Sequence, residues 1–261
     1  YYASRGLGDV YKRQYQKDVL LNLVTCVLVI AGGIGFPVIF ELPLKHFSWK
    51  RQSMHTRVVL STTFALLLFG TLLLKLTESI SWLGAFFYSV SARTAGFSTY
   101  NLSDFSTAGL LVVSGLMFIG ASPASTGGGI KTTTFFVLLS GIYSAATNHS
   151  ERAFHNAIPK DAFRKASVIS MLAVFLVMTA SYLMLIFDPQ LSLRDVLFEM
   201  ISAFSTSGLS TGITPQLSAQ SRILSIIMMY IGRLGPLTVA SLWYFTIGER
   251  VRYPEGTIAI G

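Results

Sequence analysis

The sequence predicts an all-α, polytopic membrane protein made of repeats in which a short re-entrant helix sits between two spanning helices. Hydrophobic residues make up 52% of the 261 and charged residues only 12%, with a mean hydropathy of +0.58, a balance outside that of soluble globular domains. Val58–Leu74 and Val168–Phe187 carry no charge, and their lengths approach the ~20 residues that take a helix across ~30 Å of hydrocarbon. One polar motif also recurs at a fixed separation along the chain.

Residues 1–14, YYASRGLGDVYKRQ, show neither apolar periodicity nor a signal-peptide pattern and read as a non-native leader. Val19–Phe40 is the first candidate span, interrupted by the glycines of AGGIGFP near its end. Residues 15–42 are therefore expected to be the closing helix of a repeat whose start is absent. Residues 43–57 contain Lys45, Lys50, Arg51 and Arg57 with no acid, which places that loop on the cytoplasmic side. A full repeat is expected over residues 58–147. It opens with the span from Val58, dips in through residues 81–93 and closes with Phe105–Tyr143, which is too long for one straight crossing and is interrupted by GASPASTGGGIKTTT.

Residues 148–162 and the start of the next helix hold Arg152, Lys160, Arg164 and Lys165 against Glu151 and Asp161, so this loop is also expected inside. A second full repeat covers residues 163–248, with the span Val168–Phe187, a short segment at 193–205, and Ile223–Ile247 interrupted by Arg233. The tail, residues 249–261, carries Arg250 and Arg252 and returns to the cytoplasm. Trp49, Trp82 and Trp243 near span ends suit interfacial anchors. Cys26 is the only cysteine, which leaves no disulfide framework or thiolate cluster to read. The net charge of +8 follows the loops and reports membrane topology rather than nucleic-acid binding.

SWLGAFFYSVSAR and LRDVLFEMISAFS, 13 residues each, are too short to cross a bilayer. Each precedes a near-copy of one motif, Thr94-Ala95-Gly96-Phe97-Ser98-Thr99 and Thr206-Ser207-Gly208-Leu209-Ser210-Thr211, 112 residues apart. Ile119-Gly120 and Ile231-Gly232 are related by the same 112, so the unit is an internal repeat. Non-helical backbone at membrane depth is tolerated only where it lines a cavity or is buried in protein. A short helix aimed inward with its carbonyl end at the bilayer centre favours a cation there. A central glycine permits φ > 0, which lets successive carbonyls turn toward one axis and replace an ion's water shell. One isolated T-x-G-x-S-T is ordinarily a turn after a helix; two copies at matching places favour a filter for a large monovalent cation.

The stretch at residues 120–134 superficially suggests a phosphate loop. Ile130 separates Gly129 from Lys131, whereas a Walker loop needs lysine directly after glycine, and both flanks read as membrane helix. Gly127, Gly128 and Gly129 with Ser122, Pro123, Ser125 and Thr126 are too many helix-weakening residues for a packing kink, and suit an irregular plug lining a cavity. Arg233 corresponds to Ala121 under the 112-residue shift. An arginine this deep costs roughly 2.5–3.5 kcal/mol, so it needs partners, and several loop carbonyls would serve its guanidinium. Lys131 is expected near the inner mouth, either tuning access or marking the interface. Glu199 either satisfies donors beside the filter or meets Arg194. Two other functions stay open at this point: a secondary transporter whose loop amides hold an anionic solute, and a noncatalytic membrane assembly subunit.

The motifs resemble those of the membrane subunit of Ktr-type potassium transporters, in the Trk/Ktr/HKT superfamily. SARTAGFST is similar to the family's third filter, STSGLSTGITP to its fourth, GASPASTGGGIKTTT to its intramembrane gating loop and YIGRLGPLT to its last pore helix. The resemblance covers residues 18–261, and RYPEGTIAIG is similar to the Ktr branch. It implies four pore repeats with pseudo-fourfold symmetry around one potassium path and no enzymatic activity. The filter would comprise Thr94, Ala95, Gly96, Phe97 and Ser98 with Thr206, Ser207, Gly208, Leu209 and Ser210, and the gate Gly127, Gly128, Gly129, Lys131 and Arg233. The resemblance further implies a homodimer in the lipid of a bacterial plasma membrane, its C-terminus cytoplasmic, on a ring of cytosolic RCK subunits that alone carry the nucleotide, with K⁺ as cargo and Na⁺ as activating ion. The chain departs from the family pattern in lacking the first repeat and most of the second, so half of the filter is expected to be missing.

Overall fold

The structure, a computed structural model, describes residues 16, 18–93, 95–147, 152–154 and 156–235. The expected leader, Trp243 and the cytoplasmic tail lie outside them. The chain runs through α1 (Val19–Ile34), α2 (Phe36–Leu44), α3 (Met54–Thr77), α4 (Trp82–Ser91), α5 (Thr107–Phe118) and α6 (Thr132–Thr147). A small antiparallel hairpin, β1 (Arg152–Ala153) and β2 (Asn156–Ala157), leads to α7 (Lys160–Phe187), α8 (Leu193–Ser205) and α9 (Ala219–Leu234). The architecture is all-α and polytopic: α3 and α7 are each long and apolar enough to cross a membrane, and α1 with α2 is so as one broken span.

That break falls among the glycines that interrupt the candidate span Val19–Phe40. The helix bends by 97° at Gly35, whose φ of +94° suits glycine, and Pro37 opens α2 without an N–H to donate. The expected break inside Phe105–Tyr143 is present, since α5 stops at Phe118 and α6 starts at Thr132.

Serine starts the helices. Ser53, Ser81, Ser106, Ser192 and Ser218 each accept a hydrogen bond from the amide three residues on, satisfying one of the donors that a helix N-terminus leaves free. At two junctions a carboxylate from the preceding helix end secures this cap. Glu78 Oε1 accepts from the Ser106 amide at 2.9 Å and its hydroxyl at 2.7 Å. Asp188 Oδ2 accepts from the Ser218 amide at 3.0 Å and its hydroxyl at 2.9 Å. Ser106 and Ser218 stand 112 apart, so the clasp belongs to the repeat.

The short helices α4 and α8 occupy the interior. Tyr88 on α4 packs in one cluster with Leu74, Leu110 and Met117, and Phe198 and Leu209 from the second repeat enter the same cluster. Val196, Met200 and Phe204 on α8 pack with Met184 and Met228. The outer helices leave apolar side chains uncovered, among them Phe64, Phe69 and Leu76 on α3 and Met171, Phe175 and Tyr182 on α7, as lipid-facing surfaces require. Trp49 and Trp82 are exposed; Trp49 meets Phe154 edge-on at 5.9 Å, and Lys75 lies 6.0 Å from the Trp82 ring.

Candidate cation filter and its adjoining loop

The two glycine motifs begin where α4 and α8 end. Gly96 has φ +68° and Gly208 φ +84°, and Thr206 is also left-handed at +52°. A Cβ on Gly96 would collide with the carbonyl oxygen of Ser207, so the two motifs touch backbone to backbone with no side chain between them. Thr94 lies outside the described residues. Ser98, Ser207 and Leu209 are buried, and Phe97 is 36% exposed.

Each motif is held from behind by its own short helix. Ser91 Oγ donates to the Phe97 carbonyl at 2.5 Å, and Ser202 Oγ donates to the Leu209 carbonyl at 2.5 Å. Tyr88 reaches the Ser98 hydroxyl at 2.8 Å, takes the Tyr100 amide at 3.0 Å and donates to the Tyr100 carbonyl at 2.7 Å. Two turns before the motif in the second repeat, Glu199 has the matching task. Its Oε1 accepts from Thr214 Oγ1 at 2.6 Å, and Thr214 contacts the Ser210 hydroxyl at 2.9 Å. Of the two roles open to Glu199, the structure gives the hydroxyl partner, because Arg194 instead pairs with Asp195 at 3.4 Å.

The glycine-rich loop is folded upon itself. The Ile130 amide donates to the Phe118 carbonyl at 3.1 Å and the Thr132 amide to that of Ala121 at 3.3 Å, which brings the two ends of the break together. Gly129 has φ +72°. A Cβ on Gly128 would come within 2.8 Å of Thr206 Oγ1 and 2.9 Å of the Ser205 carbonyl oxygen, so the loop rests directly against the start of the second motif. A cavity of about 390 Å³ has Ala95 and Phe97 of the first motif in one wall and Thr126 of the loop in another, with Gly32 beside it.

Three cations converge on carbonyls of this loop and its approach. Arg233 donates to the Thr126 carbonyl, Lys131 Nζ to that of Gly127 at 2.5 Å, and Arg93, 6% exposed, to that of Gly120 at 3.5 Å. The expectation of several loop carbonyls on Arg233 thus reduces, among the described residues, to the carbonyl of Thr126. Lys131 is bound to the loop itself rather than held out for a phosphate.

The loop is also bonded to the bend between α1 and α2. The Ser122 amide donates to the Gly33 carbonyl at 3.0 Å, and the Thr126 amide and hydroxyl to that of Gly32 at 3.4 and 3.3 Å. The Phe36 amide donates to the Ala124 carbonyl at 3.2 Å. Sequence reasoning missed the bonding of the loop to this bend, Arg93, Tyr88 and the two serine struts. A signal for the struts was present: Ser91-Ala92 and Ser202-Ala203 precede the motifs, but 111 residues apart, one short of the motif spacing.

The TrkH family, described as cation transport protein, matches residues 53–246. The Ktr system potassium uptake protein B of Vibrio alginolyticus is 36% identical, over 95% of this chain and 57% of its own length. The Ktr system potassium uptake protein D of Bacillus subtilis is 34% identical, over 95% and 58%. The potassium/sodium uptake protein NtpJ of Enterococcus hirae is 32% identical, over 94% and 58%. The chain therefore spans somewhat over half the length of these curated relatives. The crystal structure of the potassium transporter TrkH from Vibrio parahaemolyticus superimposes with a TM-score of 0.71 at 18% identity, covering 87% of this chain and 52% of that one, a likeness of fold.

Proposed function

The chain belongs to the TrkH family of cation transport proteins, and from that premise we propose that it supplies the third and fourth pore repeats of a Ktr-type potassium uptake system. K⁺ passes down its electrochemical gradient through a ring of backbone carbonyls to which Thr94–Ser98 and Thr206–Ser210 contribute, and the loop at Gly127–Gly129 gates it with Lys131 and Arg233. The observation that carries this reading is the matched build of the two motifs. Both central glycines are left-handed, both motifs have one carbonyl braced by a serine of the preceding helix, and the two backbones abut. Carbonyl ligation of a weakly hydrated monovalent ion needs that kind of rigid, side-chain-free geometry.

The names of the Ktr and NtpJ relatives support K⁺ as cargo, with Na⁺ as a possible second ion. The wider assembly follows from the family resemblance: a homodimer in the bacterial plasma membrane, its C-terminus inside, on a cytosolic nucleotide-binding RCK ring. The cations on the loop disfavour the anion-transporter alternative, since Arg233 and Lys131 are engaged with protein carbonyls.

Ion selectivity tests the reading in a four-repeat transporter carrying these residues. Gly96→Ser or Gly208→Ser places a Cβ on left-handed backbone and should raise the KM for K⁺ or admit Na⁺. Wild-type K⁺ uptake and selectivity in both variants would remove the filter assignment; uptake of a labelled anion with indifference to K⁺ would replace it.

A further inference from the structure

We infer that the bend between α1 and α2, Gly32–Phe36, is the latch that holds the gating loop closed; the inference rests on the gate reading proposed above. In an unbroken helix Phe36 N–H would bond to the Gly32 carbonyl and residue 37 to that of Gly33. Pro37 has no N–H, so the Gly33 carbonyl is orphaned by the sequence itself. The loop completes both bonds from outside: Ser122 donates to Gly33, Thr126 to Gly32, and Phe36 turns its amide to Ala124. Gly35 permits the close fit, since a Cβ there would collide with the Pro123 carbonyl oxygen.

The latch exchanges partners rather than merely losing them. When the loop leaves, Phe36 N–H and the Gly32 carbonyl, four residues apart, satisfy each other once Gly35 turns from its left-handed conformation to the helical one, which lowers the cost of opening. The far end of α2 is pinned as well. Glu41 accepts from the Ser53 amide and hydroxyl, both at 2.7 Å, at the cap of α3, and bonds to Lys45 and Thr56. Helix α2 thus links the loop to the basic turn at Lys45–Arg51, so displacement of that turn pulls on the gate. Gly32, Gly33 and Phe36 are positioning residues acting through the loop.

A reversible cross-link tests this. A Cβ on Gly32 stands 3.5 Å from Thr126 Oγ1, so the two side chains face each other and are the pair to cross-link, and Cys26 can be replaced by alanine to leave the new pair alone. In a four-repeat transporter, oxidised Gly32→Cys/Thr126→Cys should lose K⁺ uptake in proportion to the cross-linked fraction and regain it on reduction. Gly35→Ala, which disfavours the left-handed bend and favours straight helix, should raise uptake about fivefold per protein in the membrane. A fully cross-linked protein with unchanged uptake overturns the latch. The Gly127–Gly129 deletion run beside it tells how: raised uptake in the deletion sinks the latch alone, and unchanged uptake in both sinks the gate with it.

Discussion

Single hydroxyls do much of the positioning. Ser91 and Ser202 each fix one carbonyl of a motif, and removing such a partner from a buried acceptor costs about 1–2 kcal/mol. Ser202→Ala should therefore loosen the second motif and reduce discrimination of K⁺ from Na⁺ in competitive rubidium uptake, with little change in the amount of protein inserted. Asp188 acts at the junction of α7 with the cap of α9. Burial alone would raise its carboxyl, but hydrogen bonds from Ser221, Ser218 and Gln190 outweigh that and hold it below its usual value. A lowered folded value gives stability that is complete above about pH 4 and lost as the pH falls through it. Asp188→Asn should cost about 1–2 kcal/mol at neutral pH, with the gap to wild type closing in acid, as thermal unfolding in detergent will read. Residues of this kind differ in how legible they were. Gly96 and Gly208 could be read because the same central glycine, which permits left-handed backbone, recurs in both copies of the motif. Ser91 and Ser202 could not, because one extra residue in the second copy shifts them out of register with the motif.

Among the elements, the loop between α5 and α6 is the one whose removal should increase activity. Its carbonyls are held by Arg233 and Lys131, and a charge-assisted bond contributes about 1.5–3 kcal/mol. Deleting Gly127–Gly129, or changing Arg233→Ala, should raise initial K⁺ uptake about tenfold in a four-repeat transporter, corrected for membrane content. Lower uptake from a properly inserted deletion variant would make the loop part of the binding site instead. The break itself was legible, since a run of seven serine, threonine, proline and glycine residues within eight positions cannot continue a helix. At Gly35 the interruption was legible in the glycines of AGGIGFP; its bonds to Ser122 and Thr126, about 90 residues away, leave no local pattern.

For the whole molecule, the membrane class and the two-copy plan followed from composition, run length and the 112-residue spacing, while the packing of α4 and α8 into shared clusters needed the fold. In the proposed fourfold filter, the two motifs would supply half of the carbonyls. Apolar faces on α1, with Leu20, Val27 and Leu28, and on α9, with Ile223, Ile226 and Tyr230, are uncovered. The 261-residue chain by itself should give background rubidium flux in liposomes, and joining it to two further repeats should restore growth of a potassium-uptake-deficient bacterium at low K⁺. Strong flux from the chain alone would refute the half-pore reading. The contact of Gly96 with Ser207 also limits how the duplicated halves can drift apart. At Tyr88 and Glu199 the copies answer to separate neighbours and tolerate different chemistry. At the glycines they meet, since a Cβ on Gly96 would intrude on the Ser207 carbonyl and approach Gly208, and Gly96→Ala combined with Gly208→Ala should harm transport by less than the two separate losses added together.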